Sequence, residues 1–282
     1  MKIGIYTNLT RDKDGKIACA IYELLKNKGV DVYLSDELRA YVSDGVFLSR
    51  NELAKNADIV VVLGGDGTIL RIAKECAKNN ALIFAINLGN KGFLTATENV
   101  ELNAKFDDIL NGNYAVDARA FLAVSCKGKS FCALNEVVLA RGTRTKVMKA
   151  QVKVNGSLVD KYTADGVIIA TPTGSTAYSL SAGGPIIVPG VEAFVITPIS
   201  AHSLHSRPIV VSNSVTITGE VLHAEPNAHL NIDGEDVLNL QENDIITVKK
   251  SDLCLKFIRL AGYDYYEIQL EKMRYWSSFD KE

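Results

Sequence analysis

The chain is poor in the features that would direct it to a membrane, a nucleic acid or an oxidising compartment. None of its apolar runs reaches the ~18 residues that a membrane-spanning helix requires. Basic and acidic residues nearly balance, 31 against 33, for a net charge of −2, which gives no general reason to bind nucleic acid. The five cysteines (Cys19, Cys76, Cys126, Cys132, Cys254) form no CxxC pair. An odd count without metal spacing reads as reduced thiols and predicts a cytoplasmic protein. Residues 1–6 lack the apolar core of a secretory signal and read as a first strand. There is no internal repeat and no low-complexity tract. His202, His205, His223 and His229 show no recognisable metal spacing.

Several nucleotide and hydrolase signatures are also missing. Residues 4–10, after the first strand, contain no GxGxxG, which disfavours a hydride-transferring dinucleotide fold. No GxxxxGK followed by Ser or Thr occurs, so the chain carries no P-loop. Ser175 and Ser181 lie in no GxSxG elbow, which weakens a hydrolase reading.

What is present begins with size. With 282 residues and 47% hydrophobic content, the chain can bury a large core, roughly 75% of its unfolded surface, and its length suggests about two domains. The most informative segment is Gly64, Gly65, Asp66, Gly67 and Thr68, directly after the continuous apolar run 59–63. Such a run reads as a strand buried on both faces, and residues 69–78 follow with apolar residues at helical spacing. The motif therefore sits at a strand's carboxyl end on the turn opening a helix, where open α/β sheets place ligands. The glycines admit a ligand close to the backbone, and helix-opening N–H groups favour phosphate. A carboxylate repels phosphate, so Asp66 is expected to face a hydroxyl or a metal ion. The combination points to moving a phosphoryl group.

Up to about residue 113, strand and helix patterns alternate, which argues for a parallel sheet with right-handed crossovers. Residues 35–56 read only as a polar stretch. From about residue 115 the period shifts toward two. Val152 and Val154 lead to Asn155-Gly156, a strong hairpin signal, and short strands follow at 209–211, 215–217, 229–232 and 245–248. This half reads as antiparallel sheet. Residues 265–276 carry Tyr266, Ile268, Leu270, Met273 and Trp276, a segment without a readable packing partner.

A second motif, residues 165–185 (DGVIIATPTGSTAYSLSAGGP), gathers small residues and hydroxyls at Thr173, Gly174, Ser175, Thr176 and Ala177, followed by Tyr178. Hydroxyls can bond ribose and base edges, and the Tyr178 ring can stack; the alternative is a plain Gly/Ser/Thr surface loop. Asn135 and Glu136 are a polar pair in a strand-like run and must find partners if buried. Asp233-Gly234 reads first as a turn. Asn87, Gly89, Gly92 and Phe93 follow a strand end and suit a second ligand loop. Arg141, Arg144, Lys146 and Lys149 form a cationic stretch, either solvated or facing a triphosphate.

These motifs together resemble the NAD kinase family. The resemblance rests on GGDGT at 64–68, AINLGNKGFL at 85–94, Asn135-Glu136, the block 165–185, TPISAHSLHSRP at 197–208, and Asp233-Gly234. GGDGT alone also resembles the loops of lipid kinases and phosphofructokinases, whereas the TPTGSTAY and SAGGP blocks are far more specific. Ala85 and Ala201 depart from the family's usual Gly and Pro. The rivals are a lipid kinase, disfavoured because no basic amphipathic helix or lipid-anchor signal is present, and a nucleotide sensor without catalysis, which would not need Asp66.

The resemblance implies an α/β + β architecture: a Rossmann-like parallel-sheet domain at 1–114, an antiparallel β domain at 115–260, a segment at 261–282 returning to the first, and the active site in the cleft between the domains. It implies transfer of the γ-phosphoryl group of ATP, or of polyphosphate, to the 2′-hydroxyl of the adenosine ribose of NAD, with Mg²⁺ or another divalent ion held mainly by substrate and water. Asp66 would orient or deprotonate the hydroxyl. Gly64, Gly65 and Thr68 would line the phosphate. Gly67, Asn135, Asp165, Thr173, Thr176, Ala177, Tyr178 and Ser181 would bind substrate. Phe93 would border the adenine, and Glu136 and Asp233 would complete the polar wall. A homotetramer or homodimer is implied.

Overall fold

The computed structural model describes residues 1–89, 92–95, 97–98, 100–142, 146–224 and 227–279, without the side chains of 97, 98 and 276–279. Asn90, Lys91 and Arg144, together with the side chain of Trp276, lie outside the described residues. The chain divides into two bodies, Met1–Ala118 with Cys254–Glu282, and Arg119–Leu253.

In body one the alternation of strand and helix produces β1 (Lys2–Thr7), α1 (Lys16–Asn27), β2 (Asp31–Ser35), β3 (Val46–Leu48), α2 (Arg50–Asn56), β4 (Ile59–Gly64), α3 (Asp66–Asn79), β5 (Leu82–Asn87), β6 (Thr97–Glu98) and α4 (Leu102–Leu110). The stretch 35–56, read from sequence only as polar, holds a 3-10 turn, β3 and α2. Its elements are too short for a hydrophobic period to declare itself. β1 pairs in parallel with β2 and β4, β2 with β3, and β4 with β5. From β1 the chain thus builds outward on one side through β2 and β3, then crosses to the other side for β4 and β5. The point of reversal lies between β1 and β4, and a crevice for ligands opens at the carboxyl ends of such a strand pair. The run 59–63 is fully buried, as its unbroken apolar character requires. Ile59, Val61 and Leu63 pack on one face with Ile3, Ile5, Ile21, Leu25, Phe84 and Phe106.

Body two contains the greater part of β7 (Ala115–Cys126), then β8 (Lys129–Ala133), β9 (Glu136–Arg141), β10 (Met148–Val154), β11 (Ser157–Ala164), β12 (Gly166–Ala170), the one-turn α5 (Tyr178–Ser181), β13 (Ala193–Ile199), β14 (Ile209–Ser212), β15 (Ile217–His223), β16 (Ala228–Ile232), β17 (Glu235–Leu240) and the first part of β18 (Ile245–Arg259). The strand expected at 215–217 begins only at Ile217. A six-stranded antiparallel sheet runs β14-β13-β12-β9-β16-β17. β11, β10, β15 and β18 form a second antiparallel array. Val137, Val167 and Leu230 from the first share one core with Val152, Val221 and Ile246 from the second. Asn155 and Gly156 take φ values of 48° and 83° at the β10–β11 hairpin, the left-handed pair that a two-residue turn of this type demands.

The end of β18 belongs to body one, where Lys256 and Phe257 pair in parallel with Leu82 and Ile83 of β5. α6 (Tyr265–Phe279) follows. Among the described residues no helix is long and apolar enough to cross a membrane.

Candidate functional site

In body one, Asp66 is the first residue of α3, and Gly65 before it is extended and makes no side-chain cap to the helix. The Asp66 carboxylate instead reaches the loop after β5. Its Oδ2 accepts from the Phe93 N–H at 2.9 Å, and its Oδ1 accepts from the N–H groups of Leu94 and Thr95 and from the Thr95 hydroxyl at 3.1–3.2 Å. Gly92 makes this approach possible: a Cβ there would fall 2.0 Å from Asp66 Oδ1. Arg259, the last residue of β18, buttresses the same loop by donating from Nη1 to the Leu94 carbonyl at 3.1 Å while pairing with Asp117 at 3.0 Å. Lys272 of α6 lies 3.7 Å from Asp66 Oδ2 and 4.4 Å from the centre of the Phe93 ring. Burial holds the Lys272 ammonium below the usual lysine range, with Asp66 opposing the shift.

Of these groups Asp66, Gly92 and Lys272 line a cleft of about 330 Å³ in body one, together with Arg11, Gly65, Asn87 and Tyr275. Arg11 follows β1 and Gly65 follows β4, so the two strands at the reversal of the sheet each contribute to the cleft. Thr68 is buried, and its hydroxyl accepts a long hydrogen bond from Asn8 Nδ2 at 3.4 Å. Asn87 donates from Nδ2 to the Gly89 carbonyl at 3.0 Å, while its buried Oδ1 has no hydrogen-bond partner among the described residues. Gly64, Gly65, Asp66, Gly67, Thr68 and Phe93 are therefore all near one another in body one.

In body two the loop after β12 is tied to the segment before β9. The Thr171 hydroxyl donates to the Leu134 carbonyl at 2.6 Å, and its N–H donates to the Asn135 carbonyl at 2.9 Å. Gly174 is packed so closely on Asn135 that a Cβ would meet the Asn135 carbonyl oxygen at 2.1 Å. Thr176 donates to the Thr173 carbonyl at 3.1 Å, and Arg119 donates to the Thr173 hydroxyl at 3.4 Å. The loop leads to Ala177 and into α5, which leaves Tyr178 and Ser181 exposed at the surface. Asp233 occupies the turn after β16 with φ 49°. Its carboxylate accepts from the N–H groups of Leu134, Asn135 and Glu136 at 2.7–3.1 Å, so it fixes that backbone while also forming the turn. Glu136 is buried, and burial, followed by the nearby charge of Asp233, pushes its carboxyl up to about 8; the Tyr178 N–H pulls the other way. Asp165 pairs with Arg141, whose Nε lies 2.6 Å from its Oδ1. Asn135, Glu136, Asp165, Thr173, Thr176, Ala177, Tyr178, Ser181 and Asp233 are all residues of body two.

The ATP-NAD kinase N-terminal domain matches residues 3–114 and the ATP-NAD kinase C-terminal domain matches residues 134–260. The NAD kinase of Caldanaerobacter subterraneus subsp. tengcongensis is 37% identical over 280 residues, spanning 96% of this chain and 98% of that one. The chain belongs to the NAD kinase family.

Other members agree with this placement. The NAD kinase of Clostridium tetani is 38% identical over 277 residues, again 96% of this chain and 98% of that one. A crystal structure of an NAD kinase from Archaeoglobus fulgidus in complex with ATP superposes with a TM-score of 0.77 at 29% identity, over 97% of this chain and 99% of that one. Yeast NADH kinase complexed with NADH gives a TM-score of 0.87 at 24% identity over 97% of this chain and 87% of that one, a likeness of fold.

Sequence reasoning missed three residues of this kinase's cleft. Arg11 could have been found from its place just beyond β1, at the carboxyl end of a parallel strand. Lys272 and Tyr275 carry no local signal, because only the packing of α6 brings them to the loop after β4.

Proposed function

We propose that this NAD kinase moves the γ-phosphoryl group of ATP to the 2′-hydroxyl of the adenosine ribose of NAD, with Asp66 as the group that receives the hydroxyl. The observation that carries the reading is the placement of Asp66: an acid at the amino terminus of a helix, held rigidly by backbone donors and opening on a cleft with two cations. Phosphoryl transfer has a loose transition state and asks little of its base. Positioning and neutralisation of charge supply most of the rate. The 2′-oxygen bonds to the γ-phosphorus as the bond to the bridging oxygen breaks. The electron pair leaves on the β-phosphate, and the hydroxyl proton passes to Asp66. Gly65, Gly67 and Arg11 face the donor phosphates, and the buried Gly64 and Thr68 shape the loop behind them. Asn135, Glu136, Asp165, Thr173, Thr176, Ala177, Tyr178 and Ser181 recognise the dinucleotide, Asp233 holds the backbone beneath them, and Phe93 borders the adenine. The body of residues 1–118 and 254–282 handles the phosphates, with 261–282 completing it, and the body of residues 119–253 handles the dinucleotide.

A divalent ion fits this site as cargo of the triphosphate. No group of three or more His, Cys, Asp or Glu is arranged to hold a metal among the described residues. The buried, unpartnered Asn87 Oδ1 suits a water of a hydrated Mg²⁺. Mg²⁺ supplies neutralisation of charge on the phosphate oxygens when bound. The reduced cysteines support a cytoplasmic location, and family membership supports a homodimer or homotetramer, which light scattering tests directly. The activity is tested by mixing the chain with Mg²⁺, NAD and either ATP or polyphosphate and coupling the product to an NADP-specific dehydrogenase. NADP formation is expected. ADP release without NADP, or neither, contradicts the reading.

A further inference from the structure

We propose that Lys272 is a catalytic residue of this kinase, its ammonium passing from Asp66 to the transferring phosphoryl group when the acceptor hydroxyl docks; this rests on the cleft being the donor-phosphate site. A carboxylate offers about four lone-pair positions across its two oxygens. Oδ1 of Asp66 already accepts from Leu94, Thr95 N and Thr95 Oγ1, and Oδ2 accepts from Phe93. Oδ2 is the less crowded oxygen, and Lys272 Nζ lies 3.7 Å from it. A ribose hydroxyl that bonds Asp66 approaches Oδ2, where it meets Lys272.

The separation of 3.7 Å is longer than a direct hydrogen bond, so charge attraction holds the pair at this distance. Lys272 is 15% exposed and lies over the Phe93 ring. Its four-carbon stem can swing the ammonium while Phe93 still contacts it. Among the described residues, Arg11 and the glycine loop at the start of α3 are also anion-seeking groups of this cleft. A triphosphate arriving there meets Lys272 as a compact point charge, the way lysine binds phosphate oxygens. Lys272 takes no part in the proton transfer. Its charge counters the oxygens of the phosphoryl group while the 2′-O–P bond forms and the bond to the β-phosphate breaks.

The test uses the full chain with Lys272→Met and Lys272→Arg, assayed with saturating NAD and Mg-ATP. Turnover of the Met variant is expected to fall about 10²–10³-fold, the loss seen when one preorganised electrostatic partner is removed. The Michaelis constant for NAD should change little, the Arg variant should recover part of the loss, and calorimetry with a non-hydrolysable ATP analogue and Mg²⁺ should show weakened binding to the Met variant. A Met variant with turnover close to wild type overturns the proposal. So does a loss that Arg does not relieve and that accompanies a lower melting temperature, which marks a structural role. If the Met variant does not fold, Lys272→Gln is held to the same criteria. A wild-type chain without kinase activity would count against the site reading itself, whereas an active wild type with an equally active Met variant removes only Lys272.

Discussion

Glu136 and Asp233 grip each other from both directions: the Asp233 N–H donates to the Glu136 carbonyl at 3.1 Å, and the Glu136 N–H donates to Asp233 Oδ1 at 3.1 Å. The two carboxyls therefore share one buried corner at the ends of β9 and β16. Burial raises the pKa of both, but Asp233 has three backbone N–H donors favouring its charged form. Glu136 Oε2 has no hydrogen-bond partner among the described residues. The three N–H donors favour the charge on Asp233 over Glu136.

This division has a consequence for stability. The Glu136 carboxyl is raised from 4.5 to about 8 in the folded chain. Between those values the folded chain binds a proton that the unfolded chain has released, so stability is full below the lower value and declines as pH rises through the upper one. Thermal melts across that window should show the decline in wild type and a flatter profile in Glu136→Gln. Parallel profiles would show that Glu136 is not the group responsible.

Gly92→Ala should damage the site without touching a charged residue. The added Cβ would lie 2.0 Å from Asp66 Oδ1 and 2.3 Å from Thr95 Oγ1, so the acid must leave its amide cradle. A displacement of about 1 Å at a reacting group can cost about 10²-fold in rate. Turnover measured alongside a melting curve checks this. A variant as active as wild type would mean that the cradle does not set the position of Asp66.

Tyr178→Ala tests recognition of the dinucleotide. The ring is 46% exposed at the start of α5, so its face is accessible to a flat partner. Loss of base stacking, worth about 1–3 kcal/mol, should raise the Michaelis constant for NAD by roughly 5- to 150-fold with a smaller effect on turnover. An unchanged constant removes stacking from the account.

Much of this architecture is legible from local sequence because its signals are local. The run 59–63 could only be a strand buried on both faces, and it delivers Asp66 to the start of α3. Asn155-Gly156 specifies its hairpin through two left-handed residues. The dense hydroxyls of 171–176 do mark an ordered loop, and most of them bond the chain itself, as Thr171, Ser175 and Thr176 do. Other features are set by distant partners and leave no local trace. β18 runs from Ile245 to Arg259 through the polar residues 249–252, pairing with β15 at 245–248 and with β5 at 256–257. The dual duty of Asp233, turn and clamp, follows from the approach of residues 134–136, far away in the chain. Lys272 meets Asp66 only because α6 packs within body one.

The central claim is that Asp66 receives the hydroxyl that becomes phosphorylated, and Asp66→Asn tests it most directly. Asparagine keeps the shape but replaces one carboxylate oxygen by an NH₂ donor and removes the charge. Steady-state formation of NADP from NAD and Mg-ATP should fall by about 10²–10⁴-fold in turnover, with the melting temperature showing that the chain is still folded. A folded Asp66→Asn enzyme that makes NADP at the wild-type rate would contradict the claim.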